Sequence, residues 1–129
     1  MGAFADQIAK FAAQTKEQAD GVVRETVQEI GQRLIERSPI DTGRFKSNWN
    51  YGLETPDRFT SEKTAIRTVN GIEDLPKGAG GFVHYLTNSL PYGPALERGH
   101  SKQAPQGMVG ITSLEFDAIV AASVLKVQR

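Results

Sequence analysis

The tripeptide Asp41-Thr42-Gly43 is the group in this sequence whose residue types most directly suggest chemistry. Aspartic proteases hold two such aspartates within a few ångströms, where the pair shares one proton. A chain with one copy would have to work as a homodimer and hang the tripeptide from buried strands. Here it follows Pro39, which ends a predicted helix, and precedes Arg44. A structural turn is favoured, in which Asp41 accepts backbone hydrogen bonds and Gly43 supplies a positive φ.

Glu97 and His100 are the second candidate, because a carboxylate close to an imidazole can form an acid–base pair. No nucleophile or second carboxylate lies nearby in the sequence. His84 and His100 are 16 positions apart, which is not a metal-ligand spacing, and the chain has no cysteine. The glycines of residues 78–81 are not a phosphate loop, because no Lys-Ser/Thr pair follows them. The sequence therefore predicts no enzyme, no metal and no cofactor.

The charge balance limits the class of partner. The chain has 15 Lys and Arg residues against 15 Asp and Glu, and no basic run is present. Nucleic-acid binders usually show a basic excess or stripe, so any contact with DNA is expected to be transient. No apolar run approaches the roughly 20 residues of a membrane helix, and the first residues do not read as a signal peptide.

The first predicted element is a long amphipathic helix over residues 3–37. Its apolar residues recur three or four positions apart on one stripe: Phe4, Ile8, Phe11, Val22, Val23, Val27, Ile30, Leu34 and Ile35. The pattern leaves open one continuous helix or two helices meeting near Asp20-Gly21. An unbroken helix of this length would span roughly 50 Å, more than a domain of this size covers with its own core. Part of the stripe is therefore expected to pack against another subunit.

The middle of the chain alternates strands with turns. Residues 44–54 read as a strand with Phe45, Trp49 and Tyr51 facing inward, and residues 82–87 read as a second strand. Residues 62–74 read as a short helix, with Ser61 as a possible cap. Residues 88–108 form a long irregular stretch, within which Pro94 to Glu97 predicts one helical turn that stops at Gly99.

The last predicted element is a helix over residues 113–127. Thr112 to Glu115 has the form of a capping box, in which the hydroxyl and the carboxylate satisfy the first amides. The sequence therefore predicts an α+β fold in one domain, residues 1–129, with a long N-terminal helix (3–37), a small β-sheet, short middle helix and long ordered loop (44–110), and a C-terminal helix (113–127).

Two stretches resemble a tail-component family of tailed bacteriophages. They are Tyr85–Tyr92 (YLTNSLPY) and Leu96–Val109 (LERGHSKQAPQGMV), preceded by the Pro-x-Asp-Thr-Gly-x-aromatic pattern at residues 39–45. The resemblance runs from about Ser38 to Val120. Related members often carry Ala at the position of Gly93, so this chain departs from the family there.

The resemblance implies a structural neck or tail protein: a tail completion, tail terminator or head–tail connector component that forms a homo-oligomeric ring, often of six subunits. It also implies contacts to tail-tube or head-completion proteins, passage of genomic DNA, no membrane, and a virion location after synthesis in the bacterial host's cytoplasm. A transient morphogenesis factor, absent from the mature virion, is the alternative.

The loop from Pro91 to Met108 is the predicted contact to a neighbouring subunit or ring. Its polar and aromatic contributors are Tyr92, Glu97, His100, Lys102 and Gln103. The competing interpretation is that these side chains only tie the loop to its own strand. In either case the resemblance makes Asp41, Thr42 and Gly43 an architectural turn.

Overall fold

A computed structural model of the chain describes residues 2–40, 43–65, 68–99 and 107–128. Helix α1 runs without interruption over Gly2–Arg37, so there is no break at Asp20-Gly21. At its end the Ser38 hydroxyl donates to the carbonyl of Leu34 at 2.6 Å, and Pro39 follows. Within the described ranges, no helix combines the length and apolar composition that crossing a membrane requires.

Among the described residues, only the second half of α1 packs against the rest of the chain. Every described side chain from Gly2 to Ala19 is exposed, whereas Val27, Leu34 and Ile35 are buried. The remaining members of the core come from the middle and end of the chain: Phe45, Trp49, Tyr51, Val69, Leu75, Ala79, Leu90 and Met108. Since α1 has 36 residues, it is about 54 Å long, and about half of that length extends beyond the core.

The sheet has two antiparallel strands, β1 (Asn50–Leu53) and β2 (His84–Thr87). Their register pairs Asn50 with Thr87 and Leu53 with His84. The predicted strand over 44–54 was too long, because Lys46–Asn48 forms a 3₁₀ turn before β1. The three aromatic residues are buried as predicted, but Asn48 and Asn50, which strand alternation would place on the opposite, outer face, are buried too.

Hydrogen bonds of Asn48 explain that turn. Its amide nitrogen donates to the carbonyls of Arg44 at 2.7 Å and Ser61 at 3.1 Å, and its oxygen accepts from the Ser61 amide at 2.8 Å. Asparagine side chains that bind the backbone compete with a strand ladder. The local network therefore replaces the first half of the predicted strand.

The predicted middle helix over 62–74 is present, among the described residues, only as a 3₁₀ turn at Ile72–Asp74. The backbone just before it pairs with β1 instead. The Asn70 amide donates to the Trp49 carbonyl at 2.9 Å, and the Tyr51 amide donates to the Asn70 carbonyl at 2.8 Å. Residues that give their backbone groups to a strand cannot also form a helix, so the three-residue spacing of Ile66, Val69 and Ile72, on which the helix prediction rested, was misleading.

Three helices complete the described chain: α2 (Gly93–Glu97), α3 (Val109–Leu114) and α4 (Phe116–Val127). The predicted capping box at Thr112 was wrong. Thr112 lies inside α3, where its hydroxyl donates to the Met108 carbonyl at 2.7 Å. Glu115 does not cap α4 and instead binds arginines of α1. Helix α4 packs along α1, where Gly21 faces the side chain of Val127.

Candidate assembly site

Helix α2 positions the first part of the predicted contact loop. The turn predicted at Pro94–Glu97 is confirmed and begins one residue earlier, at Gly93. Pro94 occupies the second position, where a missing amide hydrogen costs nothing. Hydrogen bonds from the amides of Arg98 and Gly99 to the carbonyls of Pro94 and Leu96 close the helix. The turn fixes the direction in which the Glu97 side chain leaves the backbone.

The Glu97 carboxylate binds the start of α3, across residues 98–107. One oxygen, Oε1, accepts from the amides of Met108 at 2.9 Å and Val109 at 2.8 Å, and Oε2 accepts from the amide of Gly110 at 2.8 Å. The first amides of a helix have no partner within it. Glu97 supplies those partners, and thereby joins the two ends of the loop.

Gly107 makes that junction sterically possible. Its φ is 78°, and a Cβ at this position would collide with the carbonyl oxygen of Glu97 and approach its carboxylate. Partial burial by itself would raise the pKa of Glu97, but the hydrogen bonds from Val109, Gly110 and Met108 outweigh it and lower the pKa. The side chain is thus held as a carboxylate and is a weak proton acceptor.

Tyr92 lies on the surface directly before α2. Its side chain is 41% exposed, and its ring centroid lies 5.7 Å from that of Phe45. Phe45 in turn packs edge-on against Trp49 in the core, with centroids 6.0 Å apart. Tyr92 is therefore anchored on one side and open on the other, as a contact residue must be. A Cβ at Gly93 would lie 3.4 Å from the Phe45 ring, so the alanine of related proteins fits with at most a small adjustment.

Several predicted site residues lie outside the described ranges. These are Asp41 and Thr42 of the turn, and His100, Lys102 and Gln103 of the loop. The predicted pairing of Glu97 with His100 lies outside them too. Gly43 is described: its φ is 80°, and a Cβ there would collide with the carbonyl oxygen of Thr64. Glycine is thus the residue that this turn geometry requires.

An ion cluster that the sequence did not reveal joins α1 to the C-terminal helices. Glu115 accepts from Arg37 at 2.6 Å and 2.9 Å through its two oxygens, and from Arg33 at 2.9 Å. These partners, Arg37 first, lower the pKa of Glu115 to about 2. Arg33 also binds Glu29 at 2.8 Å, and Arg37 donates to the Thr112 hydroxyl at 2.9 Å. No sequence signal links residues about 80 positions apart.

A second missed contact is made by Asp20. Its carboxylate accepts from Lys16 at 2.7 Å and from the Gly80 amide at 3.0 Å. The hydrogen bond from Lys16, followed by that from Gly80, lowers the pKa of Asp20 despite its desolvation. The four-residue spacing of Lys16 and Asp20 was a detectable signal. The contact marks the point at which α1 joins the body of the chain.

An open apolar groove of about 510 Å³ lies between α1, β2 and the C-terminal helices. It is lined by Val27, Ile30 and Leu34 of α1, by His84 and Leu86 of β2, by Val109, Thr112 and Ser113 of α3, and by Phe116 of α4. Other exposed apolar side chains lie on α3 and α4, including Leu114, which is 88% exposed, and Leu125 at 63%. Apolar surface of this kind is typical of a protein that binds other proteins.

A family model described as "Bacteriophage HK97-gp10, putative tail-component" matches residues 2–83, more than half of the chain. The chain belongs to this HK97-gp10-like family. No curated protein and no solved structure matches the chain. The match runs from α1 across Asp41-Thr42-Gly43 and ends just before β2.

The predicted recognition of a tailed-phage tail-component family is therefore confirmed. The HK97-gp10-like match does not extend to the loop after β2, on which most of the resemblance rested. Membership supports a structural role in the phage tail, a virion location and contacts with other tail or neck proteins. Structural components of this kind are typically not enzymes, in agreement with the interpretation of Asp41-Thr42-Gly43 as a turn.

Proposed function

We propose that the chain forms a homo-oligomeric ring, of six copies, at the head–tail junction or at the end of the tail, where it acts as a tail completion or tail terminator protein. Membership of the HK97-gp10-like family supports the placement in the tail. The observation that supports assembly is the apolar surface uncovered at both ends of the sequence: Phe11 on α1 is 71% exposed, and Leu125 on α4 is 63% exposed. A closed ring needs two such complementary surfaces on each subunit.

The loop from Pro91 to Met108 contributes to the contact between subunits or rings in this proposal. Tyr92 offers an aromatic surface backed by Phe45, and Glu97 fixes the path of the loop through its three amide hydrogen bonds. Lys102, Gln103 and His100 stay predicted contacts. Replacing Tyr92 with Ser and, separately, Lys102 with Ser tests this part, because both leave the Glu97 hydrogen bonds intact. Unchanged oligomer size in both variants would remove the loop from the interface.

Native mass spectrometry of the purified chain tests the ring itself. The expected result is a single closed species, with six copies, that persists on dilution. A monomer at all concentrations would contradict the proposal.

Mass spectrometry of purified phage particles separates the two roles left open by the sequence. A structural ring protein is present in a fixed number of copies per particle. A transient morphogenesis factor is absent from finished particles but present in assembly intermediates, and that outcome would replace the structural role.

A further inference from the structure

The apolar groove and the first half of α1 are uncovered surfaces on the same chain. The groove lining includes one stripe of α1, with Val27, Ile30 and Leu34 at spacings of three and four residues. This stripe continues into the buried core, since Val27 and Leu34 belong to it. Val27 and Leu34 are themselves buried, so the groove lies directly over this part of the core.

The first half of α1 has the complementary form. Over Gly2–Ala19 it is a helix whose described side chains are all exposed. Ile8 and Phe11 are 54% and 71% exposed and lie on one face. Thr15 extends that face, and its hydroxyl donates to the Phe11 carbonyl at 2.9 Å, so the side chain needs no other hydrogen-bond partner. Isolated helices of this length are marginal in water, which favours a partner that covers the apolar face.

The helix cannot reach the groove of its own chain. Ile8 and Val27 belong to the same uninterrupted helix and are 19 positions apart, which places them about 28 Å from each other along the axis. Folding back would require a break in α1. An occupant with this apolar face must therefore come from a second copy.

The dimensions of the two surfaces agree. Ile8 to Thr15 and Val27 to Leu34 both cover seven positions, about 10 Å along a helix. A contact of that length on a helix about 10 Å wide covers roughly 100 Å², well below the ~800 Å² per partner of a standard interface. One such contact would join two chains weakly. An assembly in which every chain both donates and receives a helix doubles the area per chain.

We propose that the groove between α1, β2 and α3–α4 receives the first half of α1 from a second copy of this chain. The anchors are Ile8 and Phe11, inserted as an apolar helix face into a groove. This inference rests on the proposed homo-oligomeric function and names the segment and the site that build the contact. Because donor and acceptor differ, the contact is heterologous and closes into a ring when each copy repeats it.

The absence of cysteine from the chain allows a direct cross-linking test. One tagged preparation carries Phe11→Cys, a second with a different tag carries Ser113→Cys on the groove wall, and the two are mixed and oxidised. Ala13→Cys is the control on the helix, because it points about 160° away from Phe11. Glu73→Cys, an exposed site that does not line the groove, is the control on the acceptor. Far-UV circular dichroism checks that every variant is folded.

The expected result is a mixed disulfide for the 11–113 pair and none for the 13–113 and 11–73 pairs. Absence of the 11–113 product from folded variants, or equal yields in the controls, would overturn the proposal. So would cross-linking of Ser113→Cys to another tail protein in infected cells in place of Phe11→Cys.

Native mass spectrometry of the same samples distinguishes a failure of the helix-docking proposal from a failure of the proposed ring. The 11–113 disulfide in a species of two chains supports helix docking and contradicts the ring. A six-membered ring without that disulfide supports the ring and contradicts helix docking.

Discussion

At the scale of single residues, the Glu97 carboxylate makes the clearest energetic prediction. Replacing Glu97 with Gln puts an amide nitrogen where the structure has an acceptor, so at least one of the three amides of Met108, Val109 and Gly110 loses its partner. Water reaches the exposed amides of Val109 and Gly110, so the cost is the net value of a lost hydrogen bond, about 0.5 to 1.5 kcal/mol. We expect E97Q to lower the free energy of unfolding, measured in urea, by that amount.

Glu73→Gln is the matched control for E97Q. Glu73 is exposed on the 3₁₀ turn at Ile72–Asp74, so the same change of charge should shift the free energy of unfolding by less than about 0.5 kcal/mol. Equal effects of the two substitutions would show that Glu97 acts only through net charge and does not hold the loop to α3.

Single residues differ in how far the sequence reveals them. The turn chemistry of Gly43 and Gly99 was readable, because only a few residue types tolerate a positive φ. The role of Glu97 as the partner of the α3 amides could not be predicted, because it depends on the start of α3 lying beside Glu97, eleven or more positions after it in the sequence. The strand prediction failed at Asn48 for a related reason. Its hydrogen-bond partner, Ser61, is 13 positions away, and the alternation of apolar and polar residues does not reveal contacts between such distant positions.

At the scale of elements, two glycines of α1 test how closely the helix is packed. A Cβ at Gly31 would lie 2.9 Å from a methyl group of Val69, which is buried, whereas a Cβ at Gly21 would lie 3.3 Å from Val127 in the last turn of α4. Alanine raises helix propensity by about 1 kcal/mol at both sites, but overpacking a core costs about 1 to 3 kcal/mol. We expect G31A to be less stable than G21A by about 1 to 3 kcal/mol.

Urea unfolding of the two variants measures that difference against the unaltered chain. We expect G21A to equal or exceed the unaltered chain, since Val127 ends α4 and has room to shift. A Gly31→Ala variant as stable as Gly21→Ala would mean that α1 and the segment around Val69 are packed more loosely than the structure shows.

The docking of α3–α4 on α1 should weaken in acid through Glu115. Its pKa of about 2 in the folded chain lies below that of an exposed glutamate, about 4.3. Because the unfolded chain binds the proton at a higher pH, the contribution of Glu115 to stability is complete above about pH 5 and is lost toward pH 2. Screening by solvent limits its size, since a third of the side chain is exposed.

Melting temperatures of the unaltered chain and of Glu115→Gln, recorded from pH 7 to pH 2.5, test this contribution. E115Q should melt lower at pH 7, and the gap between the two proteins should narrow as the pH falls below 5. A gap that stays constant across the range would show that the ion cluster with Arg33 and Arg37 does not stabilise the fold.

The elements themselves were predictable where one periodicity dominates. The N-terminal helix, the α+β class and the presence of two strands followed from spacing. The middle helix was expected over residues 62–74 because Ile66, Val69 and Ile72 are three positions apart, but pairing of Asn70 with β1 took precedence. Thr112 was read as a cap because Glu115 follows it three positions later, but Thr112 lies inside α3 and Glu115 binds Arg33 and Arg37 of α1.

At the scale of the whole molecule, the buried core and the exposed first half of α1 are separate parts of the chain. Buried contacts of α1 begin at Asp20, which binds Lys16 and Gly80. Residues 2–15 add exposed helix but no buried side chain among those described. Removing residues 2–15 should therefore leave the melting temperature within a few degrees of that of the full chain, while the native mass should fall from that of the proposed ring to that of the monomer.

A replacement variant decides what the removed segment contributes. In it, residues 2–15 are exchanged for a polar helix-forming sequence of equal length, which keeps the helix but lacks Ile8 and Phe11. If length alone matters, this variant forms the ring. If the apolar face drives assembly, it stays monomeric with the melting temperature of the full chain. Loss of folding in the shortened chain would instead show that the extended half of α1 stabilises the subunit, so that folding and assembly are not separable in this protein.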